Sequence, residues 1–317
     1  MEDARKRIFT IGKLNYQISF LKTGTEVEVW RNDPDIVEAV VLSEIKCDGK
    51  KYAVTSIRNS AFKDCMKLKT VVLPDSIKWI GKSAFQGCTF LKEINFPNAL
   101  IRIDEGAFLS CVSLESVDLP ESALFLEQGA FQGCEKLKSV KLPEKISRLS
   151  PYLFSGCKDL KNIDLPKSIS FLGEHALSHC TALETVSIPK NVTSIPSYCF
   201  SYCTSLNRVE FEGNIESIGI CAFSHCTSLI DDNFFIPESV SNIERYAFEY
   251  CTGLKSINIP NSLYGIGTNA FFRCDNITKV HMDSWFLAQS YIDTLIGQIW
   301  EAGLHTREVL LRIPTFS

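Results

Sequence analysis

The repeating unit of this chain reads Ile80-Gly81-Lys82-Ser83-Ala84-Phe85-Gln86-Gly87-Cys88-Thr89-Phe90-Leu91-Lys92-Glu93-Ile94-Asn95-Phe96-Pro97. Its cysteine returns in ten copies of the unit, at Cys65, Cys88, Cys111, Cys134, Cys157, Cys180, Cys203, Cys226, Cys251 and Cys274. Successive cysteines are 23 residues apart, except that 25 residues separate Cys226 from Cys251. A fixed period of this length is the signature of a solenoid, in which each coil buries its apolar face against its neighbours.

Apolar columns mark the interior of each coil. A phenylalanine stands three residues before most of the cysteines, a leucine stands three residues after them, and a pair such as Val71 and Leu73 follows. The Leu-x-x-Val-x-Leu run alternates with a period of two, which predicts a short strand with one face inward. The proline that usually comes next ends this strand. The Ala-Phe-x-x-Cys stretch does not alternate, and we expect it to form one or two helical turns on the opposite wall.

The combination of Leu-x-x-Val-x-Leu-Pro with Ile-Gly-x-x-Ala-Phe-x-x-Cys resembles the BspA-like class of leucine-rich repeats, over about residues 57–282. The resemblance implies an α/β repeat solenoid, which is a right-handed coil with a parallel β-sheet on one face and no cofactor. It also implies adhesion or protein binding, because members of this class are commonly surface or secreted proteins of bacteria and protists. A fold alone does not fix a function.

The sequence divides into three parts. Residues 1–55 are interpreted as an N-terminal β-rich cap, with a predicted hairpin around residues 22–25 and further strands at 36–42 and 52–55. Residues 56–282 hold about ten repeats. Residues 283–317 are predicted to form a C-terminal cap, with a helix over 284–303 and a last edge strand over 308–314. A solenoid needs such covers because its ends expose core side chains and sheet edges.

Composition narrows the range of partners. The 317 residues carry a formal net charge of −4, and 45% of them are hydrophobic, which is ample for a large core. This charge gives no electrostatic reason to expect nucleic acid or anionic membrane as a partner, and the predicted helix is too polar to span a membrane. No apolar signal region follows Met1. A cytoplasmic protein and a protein whose leader was removed both stay open, while the resemblance implies the cell surface or secretion.

Ten of the thirteen cysteines form a ladder, with one cysteine in each coil. Equivalent Cα atoms in neighbouring coils are about 5 Å apart, which is within the range for a disulfide bond. Stacked side chains that point the same way have poor disulfide geometry, however, so we favour reduced thiols that act as small buried apolar groups. No Cys-x-x-Cys pair is present, and a zinc or redox site is therefore not predicted.

Catalytic and metal-binding chemistry have little support in the sequence. His175 and His179 have the spacing of a metal-binding pair, but His179 aligns with Tyr202 and His225 at a variable turn position before the cysteine. We interpret these histidines as surface residues that the repeat stacks on one another. None of the five histidines sits near a distinctive serine or aspartate motif that would assemble a nucleophile with a base, and no glycine-rich phosphate loop is present. We therefore expect neither an enzyme nor a metal or cofactor site.

The outward side chains of the predicted strands are the remaining candidates for function. They form a mixed strip of mostly small or polar residues in the first six repeats and change toward the C-terminal end, where two residues are inserted near residues 230–233. A binding cluster with charges of both signs and one exposed aromatic is predicted there, from Arg208, Glu210, Asp231, Asp232, Phe235, Lys279 and His281. We therefore expect a non-enzymatic module that binds a protein ligand on a rigid solenoid surface. Two alternatives stay open, a carbohydrate- or mucin-binding adhesin and a purely structural spacer.

Overall fold

The computed structural model describes residues 6–21, 24–30, 33–230, 234–283, 300–301 and 308–312. The chain folds into two compact units. The N-terminal unit consists of Met1–Ile146 and Ser150–Asp159, and the C-terminal unit consists of Ser147–Leu149 and Leu160–Ser317. Each unit is built from β-solenoid coils and holds five of the ten repeat cysteines.

Short strands make up both units. Those of the N-terminal unit are β1 (Lys6–Ile11), β2 (Leu14–Leu21), β3 (Gly24–Trp30), β4 (Glu38–Val40), β5 (Glu44–Cys47), β6 (Lys50–Ala53), β7 (Ser56–Ile57), β8 (Thr70–Val72), β9 (Trp79–Ile80), β10 (Glu93–Ile94), β11 (Arg102–Ile103), β12 (Ser116–Asp118), β13 (Phe125–Leu126) and β14 (Ser139–Lys141). Those of the C-terminal unit are β15 (Arg148–Leu149), β16 (Phe171–Leu172), β17 (Thr185–Ile188), β18 (Ser194–Ile195), β19 (Arg208–Phe211), β20 (Ser217–Ile218), β21 (Asn242–Ile243), β22 (Ser256–Ile259), β23 (Gly265–Ile266), β24 (Lys279–Asp283) and β25 (Glu308–Arg312).

The coils form two parallel ladders, where the sequence predicted a sheet on one face only. The first ladder holds the predicted strands, as β4–β8–β10 and β12–β14 in the N-terminal unit and as β17–β19 and β22–β24–β25 in the C-terminal unit. The second ladder holds two-residue strands that begin nine residues before a cysteine, as β7–β9–β11–β13 and as β15–β16 and β18–β20–β21–β23. The pairing register follows the repeat, so that Val117 lies beside Val140 and Ile195 beside Ile218.

The N-terminal segment continues both ladders. β2 and β3 form the predicted antiparallel hairpin, and β1, which the sequence analysis missed, pairs with β2 across a turn at Gly12 and Lys13. β3 pairs in parallel with β7, and β4 pairs in parallel with β8. β4 and β6 overlap the two further predicted strands. The segment therefore supplies the partner strands that a preceding coil would supply.

A stack of phenylalanine rings fills the core of each unit, as the period predicted. In the N-terminal unit the ring centroids are 5.0, 5.1, 5.2 and 5.7 Å apart along the series Phe62, Phe85, Phe108, Phe131 and Phe154. In the C-terminal unit they are 5.3, 5.4 and 5.1 Å apart along the series Phe200, Phe223, Phe248 and Phe271. All of these rings are fully buried, so they contribute apolar burial and ring stacking together.

The Ala-Phe-x-x-Cys segments are not helical, which corrects the predicted helical turns and with them the α/β class. Every second backbone amide in these segments donates to a carbonyl of the next coil. The Phe62 N–H donates to the Ala84 carbonyl and the Asp64 N–H donates to the Gln86 carbonyl, each at 2.7 Å. The Cys65 N–H stays within its coil and donates to the Phe62 carbonyl at 3.1 Å. An α-helix would keep all of these bonds within the segment. We call this third side of the coils the turn wall.

The cysteine thiols complete the hydrogen bonding of the turn wall. The Cys88 thiol donates to the Phe62 carbonyl of the preceding coil at 3.0 Å, and the same oxygen also accepts the Cys65 N–H. Equivalent bonds of 2.9–3.4 Å are made by Cys111, Cys134, Cys157, Cys203, Cys226, Cys251 and Cys274. All thirteen cysteines are buried and none forms a disulfide bond. That the thiols are reduced stays a prediction, to which the structure adds a role for the thiols as hydrogen-bond donors.

The predicted C-terminal helix over 284–303 lies outside the described residues, apart from Trp300 and Glu301, which have helical backbone. These two residues do not support a helical cap. The predicted last strand is present as β25, which pairs in parallel with β24 so that Val309 lies beside Val280. The boundaries of the three predicted domains stay a prediction.

Replacing Cys111 tests whether its thiol acts as a donor. Alanine and serine are similar in size, but only serine keeps a donor for the Phe85 carbonyl, which lies 3.1 Å from the Cys111 sulfur. We expect Cys111→Ala to lower the free energy of unfolding by about 1–3 kcal/mol and Cys111→Ser to lower it less. Chemical denaturation of both variants measures this difference. If the thiol served only as a buried apolar group, the buried hydroxyl would make Cys111→Ser less stable than Cys111→Ala.

The buried thiols also predict a loss of stability at alkaline pH. Burial raises the pKa of Cys65 to about 11 and that of Cys134 to about 12, and it raises the pKa of Cys111 well above the ordinary thiol value. The unfolded chain therefore releases these protons at lower pH than the folded chain, and folding stability falls as the pH rises above about 9. Denaturation at a series of pH values measures the effect. A free energy of unfolding that stayed constant from pH 8 to pH 11 would contradict it.

Candidate functional site

An open depression of about 450 Å³ lies on the first ladder of the C-terminal unit. Its floor and sides come from three successive coils, the last two of which contribute β17 and β19. Parallel pairing places Arg208 beside Thr185 and Glu210 beside Ser187, and an isolated bridge places Asn162 on the other side of Thr185. The lining residues are Asn162, Ile163, Asp164, Leu165, Thr185, Val186, Ser187, Arg208, Glu210 and Glu212.

The depression arises from a difference in side-chain size between neighbouring coils. Thr185 and Ser187 are small, whereas the coil that follows presents Arg208 and Glu210 at the same two positions. The first ladder points these side chains outward because the intervening Val186 and Val209 are buried. A shallow trough over the middle coil is the result.

Polar contacts within the sheet hold the lining in place. The Thr185 hydroxyl donates to the Asn162 side-chain oxygen at 3.2 Å. The Ser187 hydroxyl donates to a Glu212 carboxylate oxygen at 3.0 Å. Arg208 and Glu210 form an ion pair on the exposed side of β19. Glu212 takes the position that proline holds in most coils, which places a third carboxylate beside those of Asp164 and Glu210.

The seven residues of the predicted binding cluster do not lie in one sheet. Arg208 and Glu210 line the depression on β19, whereas Lys279 and His281 belong to β24. Among the strands that the structure describes, β19 pairs with β17, and β24 pairs with β22 and β25. Asp231 and Asp232 lie outside the described residues. The binding role of the cluster stays a prediction.

Phe235 points outward, as its place in the repeat predicted. Its side chain is 55% exposed, while the preceding Phe234 is buried against the core ring of Phe223, with centroids 5.7 Å apart. The register is fixed by Asn258 of the next coil, which accepts the Ile236 N–H at 3.1 Å and donates to the Ile236 carbonyl at 2.8 Å. Phe235 is therefore an exposed aromatic that follows the insertion in the sequence.

The histidines of the C-terminal unit stack with tyrosines along the turn wall. Ring centroids are 4.7, 4.2 and 4.6 Å apart along the series His179, Tyr202, His225 and Tyr250. This confirms that the repeat stacks these residues near the surface. No group of three or more histidine, cysteine or acidic side chains that could hold a metal ion occurs in the described ranges.

One serine–histidine contact escaped the sequence analysis. The Ser224 hydroxyl lies 2.8 Å from Nδ1 of His225 and donates to a Glu249 carboxylate oxygen at 3.1 Å. Aligning the two coils would have found it, because Ser224 and Glu249 both stand two residues before their cysteines. A nucleophilic triad instead passes from serine to histidine to carboxylate. Here both partners contact the same hydroxyl, and Ser224 is only 3% exposed.

A second feature that the sequence analysis missed is a set of exposed aromatics on the second ladder. Trp79 and Phe125 are 47% and 53% exposed in the N-terminal unit, and Phe171 is 49% exposed in the C-terminal unit. All three stand nine residues before a cysteine. The sequence pattern predicted strands for the first ladder only, so the outward positions of the second ladder were not predicted.

Comparison with known proteins is consistent with the fold. No curated protein matches the chain. Among solved structures, the pneumococcal vaccine antigen PcpA is 21% identical, with 87% of this chain and 81% of that one covered and a TM-score of 0.58. A leucine rich cell surface protein from Faecalibacterium prausnitzii is 21% identical, with 92% and 98% covered and a TM-score of 0.51. A leucine-rich repeat protein from Bacteroides ovatus is 25% identical, with 96% and 100% covered and a TM-score of 0.40.

Within the described part of the chain, no helix has the length and apolar character needed to cross a bilayer. A model of the BspA type leucine rich repeat region matches residues 55–184, 125–251 and 178–288. These matches span most of the chain and include all ten cysteines of the repeat. The chain therefore belongs to the family of BspA-type leucine-rich repeat proteins.

Proposed function

We propose that this protein is a non-enzymatic interaction or adhesion module that binds a protein ligand on the first ladder of its C-terminal unit. Repeat proteins of this family are typically protein-interaction or adhesion modules. The observation that carries the proposal is the depression between Asn162 and Glu212, where three coils present polar side chains around a trough. A cell-surface location accords with this role.

The proposed mechanism is the display of a preformed surface. Hydrogen bonds within the sheet already orient Thr185, Ser187 and Glu212. Little side-chain entropy is therefore lost when a ligand binds. The strands beneath are held by parallel pairing at four successive positions of β17 and β19, so the trough keeps its shape without the ligand.

The charges of the lining favour a basic ligand segment. Asp164, Glu210 and Glu212 supply three carboxylates, and Arg208 supplies one guanidinium that is already paired with Glu210. A lysine or arginine side chain in the trough would balance the remaining negative charge. An extended peptide with a basic residue between small or polar ones is the ligand that this surface suits best.

Selection from a random-peptide display library tests this proposal. We expect the wild-type protein to enrich peptides that carry lysine or arginine. Thr185→Trp fills the trough, and it should weaken binding of the selected peptides by about tenfold or more, measured by fluorescence anisotropy.

Ser116→Trp is the matched control, because Ser116 is an exposed residue at the same position of a coil in the N-terminal unit. We expect it to leave binding unchanged, and thermal unfolding should show that both variants are folded. Equal affinity of the wild type and Thr185→Trp would reject the trough as the site. Failure to enrich any peptide would favour the structural spacer.

A further inference from the structure

The second ladder of the N-terminal unit presents a column of outward side chains that the proposed protein-binding site does not use. Arg102 pairs in register with Trp79 on one side and with Phe125 on the other. Each strand in this part of the ladder has two residues, of which the first points out and the second, such as Ile103, is buried. Two large exposed aromatics are thus separated by one arginine.

A hydrogen-bond network holds this column in a fixed arrangement. The Trp79 indole N–H donates to Oδ2 of Asp104 at 2.7 Å, and the Arg102 Nε–H donates to Oδ1 of the same carboxylate at 2.5 Å. The Asp104 side chain is only 12% exposed, so it is a fixed acceptor. A second guanidinium nitrogen of Arg102 lies 3.2 Å from a Glu127 carboxylate oxygen. The Trp79 ring and the polar groups are therefore ordered before any ligand arrives.

The charges in this network do not favour an anionic ligand. One guanidinium, from Arg102, faces the two carboxylates of Asp104 and Glu127. A sulfated glycan or a nucleic acid would need unpaired cationic groups, which this arrangement does not supply. The column instead offers apolar rings beside hydrogen-bond donors and acceptors. This combination matches a neutral sugar chain, whose pyranose rings have apolar C–H faces and a rim of hydroxyls.

The spacing of the rings also fits a linear sugar chain. Neighbouring strands are about 4.8 Å apart, so Trp79 and Phe125, which are two strands apart, are separated by about 10 Å. This is close to the length of one disaccharide unit. Ile101 and Leu124 precede Arg102 and Phe125 and are also exposed, which extends the apolar surface along the same direction.

We propose that Trp79, Arg102 and Phe125 form a binding site for a linear, uncharged polysaccharide. Trp79 and Phe125 are the platforms for alternate sugar rings, and Arg102 and Glu127 bond to the hydroxyls between them. The site lies in a different unit from the proposed peptide trough and on a different ladder. It can therefore be tested independently of that trough.

The C-terminal unit provides a natural comparison. Phe171 holds the same position in its coil as Phe125, but the Arg148 guanidinium carbon lies 5.3 Å from the centre of its ring, over the ring. In addition, Gly173 stands where the coil of Phe125 has Glu127. A cation therefore lies over one face of the Phe171 ring, and no carboxylate stands at the position of Glu127. Phe171→Ala is accordingly the matched control for loss of an exposed aromatic.

Affinity electrophoresis in native gels tests the proposal with three neutral polymers, barley β-glucan, galactomannan and hydroxyethyl cellulose, and with heparin as an anionic probe. We expect at least one neutral polymer to retard the wild-type protein and heparin to have no effect. Trp79→Ala and Phe125→Ala should each weaken binding by about tenfold, and Phe171→Ala should leave it unchanged. Thermal unfolding of each variant shows whether it is folded.

Several results would overturn the proposal. These are the absence of retardation by every neutral polymer, retardation that persists in the Trp79→Ala/Phe125→Ala double variant, an equal loss in Phe171→Ala, or stronger retardation by heparin. Binding of the peptides selected from the random library is also measured for the Trp79 and Phe125 variants. If their binding depends on Trp79 and Phe125 while no polysaccharide binds, the column is a protein-docking surface instead.

Discussion

The turn wall depends on one hydrogen bond, from a cysteine thiol to a buried backbone carbonyl of the preceding coil. The Phe62 carbonyl is an example. It accepts one hydrogen bond from the Cys65 N–H within its own coil and a second from the Cys88 thiol of the next coil. A buried carbonyl with an unsatisfied lone pair costs free energy. The thiol is small enough to be buried in the turn wall and still donates a proton to this carbonyl. Burial keeps it in the protonated form that this bond requires, since burial raises the pKa of Cys111 and Cys134.

The period in the sequence predicted the core, but it did not predict the backbone of the turn wall. Phe85, Cys88 and Leu91 fall at fixed offsets, so their burial follows from alignment of the coils alone. The same spacing of three residues also suits a helix, which explains the incorrect prediction. The direction in which the amides point decides between the two structures, and apolar spacing does not report that direction. Gly87 was a better signal against a helix. Its φ of +74° lies in the left-handed region, which the residues of a right-handed α-helix do not adopt.

The two units differ at this same position. Glycine stands before the cysteine in three of the five coils of the N-terminal unit. Four of the five coils in the C-terminal unit instead have His179, Tyr202, His225 and Tyr250 there, with φ values of +57°, +62°, +63° and +56°. Such a backbone costs on the order of 1 kcal/mol for a residue with a large side chain. Stacking of the rings, at 4.2–4.7 Å between centroids, offsets this cost. Ring stacking therefore stabilises the positive-φ backbone of the turn wall in these four coils of the C-terminal unit.

The candidate sites were only partly predictable, because they arise from comparison between coils. Arg208 and Glu210 were found since they break the run of small polar residues on the first ladder. The trough itself depends on Thr185 and Ser187 being smaller than their neighbours, which no single coil reveals. The column of Trp79 and Phe125 was missed because the second ladder was not recognised as a strand. Outward positions could be assigned only where a strand had been predicted.

The most direct test of this account counts thiols with a thiol-reactive dye, first in the native protein and then in denaturant without reductant. We predict that the ladder thiols do not react in the native state and that all thirteen thiols react after unfolding. This result would show a reduced, protonated and buried ladder. A count in denaturant that fell short by an even number would indicate disulfide bonds, and rapid reaction in the native state would place the thiols at the surface. Either result would contradict the thiol–carbonyl bond on which the turn wall depends.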